Sequence, residues 1–202
     1  MKNYICVNNQ KITLTQEQVE QIAAAYGQKR IQLAEVAVSD TVKIGGHEMV
    51  VLDQSGDTTA LIRKDLLPKR RFGKNNNYAG SYVDEACKEF AKEISSAVGE
   101  KNLVLRTVDL TSDDGLKDYG KVQRQVSLIT CDQYRRYVEI LDEHKPDAWW
   151  WLATAYSTEK HGNDQWVKCV SPSGLINGAS FSYGDIGVRP FCILKSNIFV
   201  SK

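Results

Sequence analysis

The chain is 202 residues long, with 42% hydrophobic and 25% charged residues, ordinary globular values that exclude a disordered or collagen-like polymer. At this length a chain buries roughly 70% of its unfolded surface and folds without covalent staples. Lys and Arg number 26 against 25 Asp and Glu, a net charge of +1, so no global field is present to hold nucleic acid or an anionic membrane.

Residues 4–14 read as a hairpin, with Ile5 and Val7 alternating, Asn8-Asn9 as the turn, and Ile12 and Leu14 on the return. A helix follows: Thr15 and Gln18 make a capping box, Val19, Ile22, Ala23 and Tyr26 form its apolar stripe, and Gly27 stops it. Residues 28–40 read as a connector, so residues 1–38 are expected to be an N-terminal hairpin and helix appendage and 39–202 the main domain. From Thr41 the pattern is a β-meander: Val42 and Ile44, a Gly45-Gly46 turn, Met49 to Leu52, a turn at 54–57, then Thr58 to Ile62. Residues 68–80 form a basic, Asn-rich loop. The run Lys69, Arg70, Arg71 and Lys74 has no aromatic platform around it and reads as a solvated loop.

The second helix is expected from Ser81 to Val98, with Val83, Cys87, Phe90, Ala91, Ile94 and Val98 at helical spacing and Gly99 as the stop. Leu103 to Leu110 suits a short strand. A third helix starts at Thr130, where Thr130 and Gln133 repeat the capping box, and carries Tyr134, Tyr137, Val138 and Leu141 as its stripe. Strands are then expected at 148–153, 166–170 and 189–194, with Ile198 to Val200 as an edge. Helices in the middle and strands at both ends imply an α+β fold with a mainly antiparallel sheet.

Several chemistries are missing. Neither GxGxxG nor GxxxxGK[ST] occurs. His47-Glu48 lacks the second His of a zinc-protease helix, and the acidic run from Asp109 to Asp118 fails the calcium-loop template. Gly178 to Ser182 falls one Gly short of a nucleophile elbow. The five Cys, at 6, 87, 131, 169 and 192, include no Cys-x-x-Cys pair, which points to reduced, buried thiols and to no metal or other cofactor. The N-terminus shows no apolar signal region and no run approaches the ~20 residues of a membrane span. The expectation is synthesis in the cytoplasm without membrane insertion.

Charge is unevenly distributed. Residues 148–202 carry only 8 of the 51 charges but all four Trp, and 16 of the 34 residues from Thr154 to Gly187 are Ser, Thr, Asn, Tyr or Gly. That composition is the chemistry of an adaptable binding surface, and a loop-rich β end fits it equally well.

Three stretches carry a resemblance: Ser127-Leu-Ile-Thr-Cys-Asp-Gln-Tyr-Arg-Arg-Tyr137, Trp149-Trp-Trp-Leu-Ala-Thr154 and Gly187-Val-Arg-Pro-Phe-Cys-Ile-Leu194. Asp40-Thr-Val-Lys-Ile-Gly-Gly46 before Val50-Val-Leu-Asp53, and Tyr78-Ala-Gly-Ser-Tyr82, fit the same pattern. Over residues 40–202 the chain resembles a bacterial and prophage family of domains with a C-type-lectin-like fold of the formylglycine-generating-enzyme subtype, a group that includes the variable proteins of diversity-generating retroelements. The resemblance implies a mixed, mainly antiparallel sheet, two main helices and a loop-rich C-terminal half. Ala155 stands where the family often has Pro. The Glu-Pro-Asn and Trp-Asn-Asp triplets of calcium-dependent lectins are absent, and Cys169 and Cys192 lie too far apart in sequence to match the copper-holding pair of the enzymes.

The resemblance places the variable, ligand-facing positions between the Trp segment and the last strands. On this chain they are Tyr156, Ser157, His161, Asn163, Asp164, Trp166, Asn177, Ser180, Ser182, Tyr183 and Asp185, each of which also suits a solvated loop. Trp149 to Trp151 and Arg189 read as framework, with Arg189 a buried organiser of loops. The expected function is a non-enzymatic display module that binds a protein or glycan through residues 154–187, in a retroelement or phage receptor-binding context and carried to a virion or cell surface by a partner. The alternatives are an oxidase like the formylglycine-generating enzymes and a structural component of phage assembly.

Overall fold

A seven-stranded antiparallel sheet forms the floor of the molecule in a computed structural model that describes residues 4–7, 10–19, 21 and 30–201. Its strands are β3 (Arg30–Gln32), β4 (Thr41–Ile44), β5 (His47–Ser55), β6 (Thr58–Arg63), β9 (Val126–Ser127), β13 (Phe191–Lys195) and β14 (Phe199–Ser201), in the order β3-β14-β4-β5-β6-β13-β9. The meander from 41 to 63 forms as its alternating pattern requires, with Gly45 and Gly46 at positive φ in the first turn.

Two boundaries differ from the sequence reading. Part of the segment assigned to the appendage belongs to the main domain: β3 pairs with β14 in the main sheet, and Leu33 and Val36 are buried in the core. β14 is not an edge, because it lies between β3 and β4. Neither three-residue segment carries enough pattern to reveal a partner so distant in sequence. The N-terminal hairpin is present as β1 (Tyr4–Val7) paired with β2 (Gln10–Thr13). Residues 16–19 begin the expected helix, and Thr15 and Gln18 exchange both bonds of the capping box. The Asn8-Asn9 turn and the expected stripe at Ile22, Ala23 and Tyr26 lie outside the described residues.

Helix α1 (Tyr82–Val98) starts where the Ser81 hydroxyl accepts the Asp84 N–H and stops at Gly99, at φ 85°. Its stripe of Val83, Ala86, Cys87, Phe90 and Ile94 packs on one face of the sheet, against Val42, Ile44, Met49, Val51, Leu61 and Leu194. Each large side chain so buried contributes about 1.5–3 kcal/mol. The helix expected from Thr130 has its capping box but breaks at Tyr137 into α2 (Cys131–Arg136) and α3 (Val138–Glu143). This pair covers the opposite face through Tyr134 and Leu141, which meet Val50, Leu52, Ile62 and Phe191. Short strands β7 (Arg106–Asp109) and β8 (Lys121–Arg124) pair beside α1; β8 was not expected from the sequence. The Asp84 carboxylate, fully buried, receives two bonds of 2.7 Å from the Arg124 guanidinium. Burial alone pushes its pKa up, yet Arg124 and the Gly80 N–H outweigh that and leave it lowered.

Candidate functional site

A second sheet has three strands, β10 (Trp150–Ala155), β11 (Trp166–Val170) and β12 (Ile176–Ser180), in that order. Every residue of β10 is buried. Trp151 and Ala153 join the core under α1, while Trp150 and Leu152 join the core under α2 and α3. The strand is therefore buried on both faces rather than on alternate residues. The Trp151 indole donates to the Arg70 carbonyl at 3.0 Å. Arg189 is fully buried, as expected of an organiser: its guanidinium lies over the Trp150 ring and donates to the Arg63 and His144 carbonyls. Burial lowers its pKa to about 10.

The β11–β12 hairpin has two different faces. Val167, Cys169 and Ala179 turn inward to the core. Trp166 and Lys168 turn outward, opposite Ser180 and Gly178. Tyr156 lies beside them, with the Lys168 ammonium 4.8 Å from its ring centre and 2.8 Å from the Asp113 carboxylate. A Cβ placed on Gly178 would sit 3.8 Å from the Trp166 ring and 4.0 Å from that of Tyr156, so the missing side chain leaves a notch between exposed aromatics.

On the other side of the hairpin is a cleft of about 410 Å³, lined by Trp149, Gly178, Ala179, Tyr183, Asp185 and Ile186. Trp149 is 40% exposed and Tyr183 57%. Trp149 was read as framework along with its two neighbours, but it stands just outside β10, where the core no longer covers it.

Four of the expected ligand positions, Ser157, His161, Asn163 and Asp164, lie in a loop held by the body of the fold. Ser157 is buried, and its hydroxyl donates to Asp114 at 2.6 Å. His161 approaches the same carboxylate oxygen at 3.1 Å. Bonds from the Ser112 and then the Ser157 hydroxyl hold the Asp114 carboxyl well below the usual carboxylate range. Asn76, fully buried, shares its two amide hydrogens among the carbonyls of Ser157, Asn163 and Trp166 at 2.9, 3.2 and 3.0 Å. Its own N–H donates to the Asp164 carbonyl, and Tyr119 donates to its side-chain oxygen.

The eleven expected positions thus do not form one face. Tyr156, Trp166 and Ser180 share the outer surface. Tyr183 and Asp185 line the cleft, with Ser182 beside them on the same exposed loop. Ser157, His161, Asn163 and Asp164 belong to a pinned loop, and Asn177, exposed, pairs with Cys169 on the face away from Trp166. The basic loop is also more than solvated: Lys69, Arg71 and Lys74 are exposed, but the main chain at Leu67, Arg70 and Phe72 donates to Val188, Ile186 and Phe181 and anchors the ends of the cleft loop.

No family model matches this chain, and no curated protein or solved structure matches it. Cys87, Cys131, Cys169 and Cys192 are free and buried, and desolvation pushes the Cys169 and Cys192 thiols up to about 12. Among the described residues no group of three His, Cys, Asp or Glu is placed to hold a metal ion, and no helix is long and apolar enough to cross a membrane. The sequence reading missed Trp149, Lys168, Gly178 and Asn76 as parts of the site. Trp149 could have been found from its place at the strand's end, whereas nothing local distinguishes Asn76 from Asn75 and Asn77.

Proposed function

We propose that the chain is a non-enzymatic ligand-binding module, of the C-type-lectin-like kind its motifs resemble, which binds a protein or glycan through the β10–β12 sheet. The observation that carries this reading is the pair of aromatic surfaces around the three-stranded sheet: Tyr156 and Trp166 outside, Trp149 and Tyr183 in the cleft. Such rings supply rigid contact area at low entropic cost. The pinned 156–166 loop adds preorganisation, which reduces the ordering cost of binding. The buried, protonated thiols of Cys169 and Cys192 favour this reading over an oxidase. A retroelement or phage receptor-binding setting is part of the proposal and rests on the motif resemblance alone.

The test is a combined glycan and protein array probed with the wild-type chain and with a Tyr156→Ala/Tyr183→Ala variant of unchanged circular dichroism. The expected result is a restricted set of ligands that the variant loses. An array with no ligand, or with ligands the variant keeps, overturns the proposal.

A further inference from the structure

Asp185 is exposed, lines the cleft beside Trp149 and Tyr183, and has no ion-pair or hydrogen-bond partner among the described residues. Among the described residues it is the only charged group in the cleft wall. Indole and phenol faces attract cations, and more strongly when the site is partly desolvated. A carboxylate beside two such rings selects an ammonium or guanidinium over a neutral group of the same size.

A second, independent feature lies in the same wall. β12 is the terminal strand of its sheet. The N–H of Phe181 donates to Gln165 and that of Ser171 to Leu175, so the ladder bonds run through the odd-numbered residues of β12. In an antiparallel pair the intervening residues turn their N–H and C=O groups away from the partner strand. Those residues are Ile176, Gly178 and Ser180, and the Ser180 carbonyl is engaged by the Tyr183 N–H. Gly178 has no side chain, so what it contributes to the cleft wall is main chain. Among the described residues the outward N–H and C=O groups of Ile176 and Gly178 have no partner, and their spacing of about 6.5–7 Å matches an extended polypeptide and not a sugar ring.

We propose that the free edge of β12 receives an extended polypeptide segment by strand addition, and that an arginine or lysine side chain of this segment enters the Trp149/Tyr183/Asp185 cleft. The inference rests on the reading of this sheet as a binding surface and commits its ligand to protein. Main-chain bonds to the edge supply affinity and the cleft supplies specificity.

The test is a titration of the isotope-labelled full chain, followed by nuclear magnetic resonance. The probes are an acetylated, amidated peptide of sequence Thr-Val-Arg-Val-Thr, the same peptide with neutral citrulline for arginine, a form N-methylated at alternate amides, and phosphocholine. The arginine peptide is expected to shift the Gly178 amide and Trp149 indole signals. Citrulline should weaken binding about tenfold, the Asp185→Asn variant should remove that difference, and N-methylation should abolish binding. Equal binding of the citrulline peptide, no binding of the arginine peptide, shifts away from the cleft, or phosphocholine binding as tightly as the arginine peptide each overturn the inference. A chain that retains its array ligand but fails this titration keeps its binding function and loses only the cationic-strand specificity.

Discussion

Two loops of the low-charge region, 156–166 and 182–185, have similar composition and opposite physical roles. In the first, polar groups are used up inside the protein: Ser157 and His161 on Asp114, Thr158 on Asp118, and three carbonyls on Asn76. In the second, among the described residues, Ser182 meets only Ser180, and the side chains of Tyr183 and Asp185 have no hydrogen bond or ion pair. A Ser, Tyr, Gly and Asn composition therefore does not by itself mark a ligand surface. What matters is whether the body offers buried partners, and here the loop over residues 75–77 and the turn over 112–118 offer them to one segment only.

The sharpest way to break this contrast is Asn76→Ala. It leaves several buried carbonyls without donors, and the expected loss is on the order of 3 kcal/mol, read by urea denaturation with faster hydrogen exchange over 157–166. A loss below about 1 kcal/mol would remove the distinction between the loops. Asp114→Asn weakens charge-assisted bonds at a partly exposed site and should cost about 1 kcal/mol, again with exchange confined to the pinned loop.

Acid titration sharpens the same contrast. The Asp114 carboxyl is held below its unfolded value, and Asp109 is held at about 2 by Thr111 and Lys121. The stability these groups contribute is fully present above the unfolded value near 3.9 and is lost as pH falls through the folded values. Stability from them should be flat between about pH 5 and 7 and fall below about pH 4, and Asp114→Asn should shallow that fall. The smallest effect on stability is expected at the free loop and outer face. Tyr183→Ala and Trp166→Ala should each change stability by less than about 0.5 kcal/mol while weakening ligand binding about tenfold or more. A large destabilisation by either would make that ring structural.

Much of the local structure was legible from the chain. The Ser81 and Thr130 caps, the α1 stripe, the Gly99 stop and the meander all follow from spacing, because they depend on neighbours within a few residues. The places of β3 and β14 were not legible, since three-residue strands acquire their identity from partners far away in sequence. The candidate site was half legible. Tyr156, Trp166, Tyr183 and Asp185 stood in the expected stretch and are exposed, while Ser157 and Asn163 stood there too and are consumed by the fold.

By itself the sequence determined the class of the protein: an α+β chain, a neutral total over a lopsided distribution, and an aromatic, hydroxyl-rich segment near the C-terminus. Tertiary structure alone decided which of those aromatics face solvent. Trp149, Trp150 and Trp151 are chemically identical neighbours. Two are buried, one in each core, and the third lines a cleft, because burial is set by what the other elements place around each position.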